Sequence, residues 1–118
     1  MADRCDIGIE PEVQAWLARL TPAEYGHVER AADMLADRAT TLGEPYARHL
    51  GGGLRELRFH LDRRPIRITY RLAPGRRIIL PTVFAKTRIV ETAQVDRARR
   101  ALHECETTHS AATHIYSR

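Results

Sequence analysis

Lysine is almost missing from this chain. Lys86 is the only one among 118 residues, and 18 arginines supply every other strong base. Long apolar runs are missing as well. The longest, IILPTVFA at 78–85, falls far short of the ~20 residues a membrane-spanning helix needs. The N-terminal stretch MADRCDIGIEPE is acidic and has no apolar signal core, so a cytoplasmic location is expected. Cys5 and Cys105 lie near opposite ends with no CxxC spacing, which reads as two reduced thiols rather than a disulfide framework. His27, His49, His103, His109 and His114 are scattered without metal-ligand spacing, so no metal is expected. No GxxxxGK[ST] phosphate loop is present, and the GGG at 51–53 is not one. No cofactor is expected.

What is present is a basic block between two acidic ends. Leu54 to Arg100 carries 13 Arg or Lys against 4 Asp or Glu, whereas Met1 to Gly53 carries 5 against 9. Such an asymmetry points to an anionic partner, most often a nucleic acid.

Periodicity gives one domain over 1–106 and a tail over 107–118, TTHSAATHIYSR being its aperiodic end and expected to be disordered. DIGI at 6–9 predicts a short strand. Pro11 opens a first helix, with Val13, Trp16, Leu17 and Leu20 on one face. TPAE at 21–24 predicts a capping box for a second helix, striped by Val28, Ala32, Leu35 and Ala39 and stopped by TTLGEP. GGG at 51–53 marks a mobile loop or a close approach of the backbone to something. The period then becomes two. Leu57, Phe59 and Leu61 alternate with Glu56, Arg58 and His60; Ile66, Ile68, Tyr70 and Leu72 alternate with Arg67, Thr69 and Arg71. Asp62-Arg63 and Ala73-Pro74-Gly75 are turns. A third strand spans Arg77 to Phe84, and Pro81 inside it calls for a bulge or a one-sided edge. A last helix runs from Thr92 to about Glu106, with Arg97, Arg99 and Arg100 solvating it.

The expected fold class is α+β: an antiparallel sheet of about four strands, two N-terminal helices and one C-terminal helix. With helices on one face, strand parity leaves Glu56, Arg58, His60, Arg67, Thr69 and Arg71 on an open surface.

LRELRF at 54–59, IRITY at 66–70 and IILPTVFAKT at 78–87, preceded by LGEP at 42–45, resemble the RelE/HigB toxin superfamily, and most its phage-derived HigB-like branch. The similarity covers about residues 6–105. It implies a RelE-like toxin of a type II toxin–antitoxin pair, an endoribonuclease that cuts mRNA on the ribosome without a metal. A cognate antitoxin of helix-turn-helix type is the implied partner. The family's basic positions fall on Arg58, Arg67 and Lys86, with Phe84 as apolar neighbour. The motif's second lysine is Thr87 here, followed by Arg88, and Pro81, Thr82 and Val83 replace the usual residues before the phenylalanine.

Metal-free RNA cleavage needs a base for the 2′-hydroxyl, cations for the five-coordinate phosphorus and an acid for the leaving 5′ oxygen. Arginine suits the second task, since its planar fork binds two phosphate oxygens and stays charged. Lysine transfers protons where neighbouring cations disfavour its charged form, and it serves equally as a plain cation. His60, two residues from Arg58, shares its side of the strand. The expected catalytic set is therefore Arg58, Arg67, Lys86 and His60. Arg55, Arg71, Phe84 and Arg88 are expected to bind RNA, and Glu56 to orient Arg58. The alternative is a non-catalytic nucleic-acid-binding or antitoxin-binding protein of the same fold.

Overall fold

The computed structural model describes residues 5–86, 92–108 and 114–116. The elements run β1 (Asp6–Ile9), α1 (Pro11–Ala18), α2 (Pro22–Arg38), β2 (Ala47–Gly51), β3 (Leu54–Leu61), β4 (Arg64–Ala73), β5 (Arg77–Leu80), β6 (Val83–Ala85), α3 (Thr92–Thr108) and β7 (His114–Tyr116). The class is α+β, with three helices as expected. The sheet differs from a four-stranded antiparallel one. Its order is β2-β3-β4-β5-β1-β7, with β6 pairing β4 off that path, and β1 runs parallel to β5.

Both N-terminal helices start where the sequence places them. Pro11 occupies the first turn of α1, where its missing amide costs no hydrogen bond. In α2, the Glu24 amide donates to the Thr21 hydroxyl at 3.2 Å, and the Thr21 amide donates to the Glu24 carboxylate at 2.9 Å. That backbone bond, helped by the guanidinium of Arg64 at 2.8 Å, holds the Glu24 carboxyl below its ordinary value. The same ion pair fastens the start of α2 to the β3–β4 hairpin.

That hairpin fixes the register of everything that follows. Asp62 and Arg63 both have positive φ, 49° and 71°, as a two-residue primed turn requires. Arg58 therefore lies directly opposite Arg67, Glu56 opposite Thr69, and Leu57 opposite Ile68.

Helices cover both faces of the sheet, not one. Leu57, Ile66, Ile68, Tyr70, Ile78 and Leu80 bury one face against Val13 and Leu17 of α1 and Val28 and Leu35 of α2. On the other face Leu54 and Ile79 form a second, smaller core with Ala98 and Leu102 of α3. The surface expected to be open is thus capped at one end.

Arg97 and Arg99 anchor this helix rather than merely solvating it. Arg99 donates to the carbonyls of Leu50 and Gly51 at 2.9 and 3.2 Å. The close approach signalled by GGG is this one. Gly52 has φ +62°, and a Cβ there would stand 2.9 Å from the Arg99 guanidinium. Arg97 binds Glu12 of α1 and the Val83 carbonyl, the latter at 3.3 Å, while the Val83 amide donates to Glu12 at 3.0 Å. Glu12 and Arg97 thereby occupy both hydrogen-bonding groups that Val83 turns outward from the sheet.

Candidate nucleic-acid interface

Pro81 does what its chemistry demands. Between the pairs Arg71–Ile79 and Ile68–Val83, three steps along β4 face four steps along the partner strand. The extra residue is the buried Pro81, which has no amide to give the ladder, and beyond it the Thr69 amide donates to the Thr82 carbonyl at 3.0 Å. One extra residue reverses the side to which every later side chain points. Without it Phe84 would lie opposite Ile66, toward the main core. With it Phe84 lies opposite Arg67, on the face of Arg58. The ladder continues as the Lys86 amide donates to the Pro65 carbonyl at 2.8 Å, so alternation brings Lys86 to that face too.

The face is built in cross-strand rows. Leu54, Arg71 and Ile79 form the row beside α3. Next come Glu56, Thr69 and Thr82, all buried, with the two threonine hydroxyls 2.6 Å apart. The third row is Arg58, Arg67 and Phe84, and the fourth is His60, Pro65 and Lys86. The first row is tucked under a helix, the second is buried, and the last puts His60 and Lys86 in solvent. His60 and Lys86 flank β4 on opposite sides, at about 10 Å between backbones, two strand spacings.

The carboxylate of Glu56 is 1% exposed and lies 3.9 Å from the guanidiniums of both Arg58 and Arg67. Arg67, itself 6% exposed, also donates to the carbonyl of Ile66 at 3.1 Å. Arg58 is 22% exposed. A buried anion beside two cations fixes their direction. Arg58, Arg67 and His60 then line an open cleft of about 360 Å³ with Pro45, Tyr46 and Phe59.

The other sequence-predicted residues stand elsewhere. Arg55 lies opposite Tyr70, on the side of the main core. Burial pushes the Tyr70 phenol above its ordinary value, and the Arg55 guanidinium beside it opposes that rise. Arg71 shares the face of Arg67 but lies four residues along β4, about 13 Å away, beside Gly53. Thr87 and Arg88 lie outside the described residues. Among the described residues no three His, Cys, Asp or Glu side chains cluster as metal ligands, and no helix is long and apolar enough to cross a membrane.

Two residues of the site were not among those expected there. Tyr46 reaches the cleft from the chain just before β2, where its carbonyl accepts the Arg58 amide at 2.8 Å. Thr82 stands in the support row through its bonds to Thr69. A tyrosine next to an X-Pro turn was the available sequence signal for the first.

The family profile described as "Phage derived protein Gp49-like (DUF891)" matches residues 15–103. The chain belongs to this Gp49-like family. The family is one of type II toxins related to the RelE/HigB-like toxins. No curated protein matches the sequence. The matched span takes in the second half of α1, α2, β2 to β6 and all four rows of the candidate face.

Proposed function

We propose that this Gp49-like protein is an endoribonuclease toxin of the HigB-like kind that cuts mRNA presented by the ribosome and is held inactive by a cognate antitoxin. The observation that supports the reading most is the pair of adjoining rows Arg58–Arg67–Phe84 and His60–Pro65–Lys86, brought to one face by the bulge at Pro81. Arg58 and Arg67 hold the scissile phosphate and stabilise the charge that builds on it. His60 and Lys86, on either side of β4, divide the two proton transfers. One takes the proton of the 2′-hydroxyl as its oxygen bonds to phosphorus. The other gives a proton to the 5′ oxygen as the P–O bond breaks, leaving a 2′,3′-cyclic phosphate and a 5′-hydroxyl. Phe84, 8% exposed, packs at the end of the arginine row.

Induction of the protein in a bacterial host tests this. Growth should arrest, and primer extension should map new 5′ ends within transcripts. Lys86→Ala, a change at an exposed strand end, should abolish both while thermal unfolding stays within about 0.5 kcal/mol of wild type. Undiminished arrest in Lys86→Ala and Arg58→Ala together would overturn the site. Arrest without transcript cleavage would favour a binding protein of the same fold.

A further inference from the structure

We propose that Tyr46 is a nucleobase-stacking residue, and that the cleft beside it takes a single-stranded nucleotide with its base on Tyr46 and its phosphate on Arg58. The inference rests on the endoribonuclease reading and adds to it a subsite that no motif marks. Tyr46 is 47% exposed and is the exposed large hydrophobic side chain among the described residues. A single exposed apolar side chain is ordinary in itself, so the ring's meaning comes from what lies beside it.

Its surroundings give the ring a use. Tyr46 is held by its backbone on both sides: its amide donates to the Gly43 carbonyl at 3.0 Å, and its carbonyl accepts the Arg58 amide at 2.8 Å. The ring is therefore tied to the strand position that carries a phosphate-binding guanidinium. The cleft they share, about 360 Å³, has the size of a small-ligand pocket, about 300–1,000 Å³. Pro45, Tyr46 and Phe59 give it an apolar wall, and Arg58 and Arg67, with His60 beside them, give it a cationic one. A nucleotide has this division, with an aromatic plane at one end and an anion at the other. Stacking of a base on an aromatic ring, next to a groove that follows the backbone charge, is the general way single strands are gripped. An acidic peptide would use the cationic wall alone and gain little from the ring.

Fluorescence anisotropy of a labelled five-nucleotide 2′-fluoro RNA, which lacks the attacking hydroxyl, tests the subsite. Tyr46→Ala should weaken binding about tenfold, and Tyr46→Phe, which keeps the ring, by no more than about twofold. An abasic oligonucleotide of the same length should bind wild type and Tyr46→Ala equally. Tyr46→Trp, checked for folding by circular dichroism, should show fluorescence quenching with the base-bearing RNA and none with the abasic one. Equal affinity of wild type and Tyr46→Ala for the base-bearing RNA overturns the inference and leaves the nuclease reading standing on transcript cleavage. A wild type that binds no RNA overturns it as well. Loss of binding to a purified antitoxin, with RNA affinity unchanged, would assign the ring to the protein partner instead.

Discussion

Glu56 sets the character of the site at the scale of single residues. A carboxylate that is 1% exposed, 3.9 Å from each of two guanidiniums, is costly to leave without its cations. Arg67 and Lys86 therefore differ in kind, although both are expected to act on RNA. Arg67→Ala removes one of two cations from a buried anion and should destabilise the fold by about 3 kcal/mol, the lower end for stranding a buried charge, because Arg58 still faces Glu56. Lys86 is exposed, where truncation of a side chain typically changes stability little. Urea unfolding of the two alanine variants separates the cases. A stable Arg67→Ala would show that Glu56 does not depend on it. A toxicity assay on Arg67→Ala or Arg58→Ala alone thus mixes chemistry with folding, because each guanidinium lies 3.9 Å from buried Glu56, whereas the exposed Lys86→Ala does so far less.

At the scale of elements, the short strand β6 presents half of the proposed chemistry, and its outer edge needs a fastening. Val83 has its amide on Glu12 and its carbonyl on Arg97, one from α1 and one from α3. Glu12→Ala should lower stability by about 1 kcal/mol, the scale of one partly exposed hydrogen bond, and should speed amide exchange at Val83 while Ile68, paired inside the sheet, keeps its protection. Unchanged exchange at Val83 would mean that Glu12 holds nothing in place. The strand parity behind this face was legible in the alternation of residues 57–72, and the bulge was legible in Pro81, because both follow from covalent chemistry. Strand β2 was not. Its five residues alternate weakly, with Arg48 and His49 exposed, and its place comes from pairing with β3. The side chosen by α3 was hidden for a related reason. A stripe of Val95, Ala98 and Leu102 says that a helix face is buried, and only Leu54 and Ile79, far apart in sequence, say against what.

At the scale of the whole molecule, the basic block has a different meaning in three dimensions than along the chain. Leu54 to Arg100 holds an excess of nine positive charges over its acids. Many of them are engaged within the fold. Arg64 pairs with Glu24, Arg97 with Glu12, Arg99 with two hairpin carbonyls, and Arg55 stands beside Tyr70 on the core side of the sheet. The acidic first half of the sequence supplies two of these partners, which is why a local charge count overstates the cationic face. In the third and fourth rows of the candidate face, the strong bases are Arg58, Arg67 and Lys86. The salt dependence of RNA binding distinguishes the two pictures, because each neutralised phosphate of a single strand contributes about −0.7 to the slope of log K against log salt. Three contacts predict a slope of about −2 for the five-nucleotide RNA, and Lys86→Ala should make it shallower by about 0.7. A longer RNA with a slope near −6 would mean that the whole basic block grips the strand, and that the arginines engaged in the fold exchange their partners for phosphate on binding.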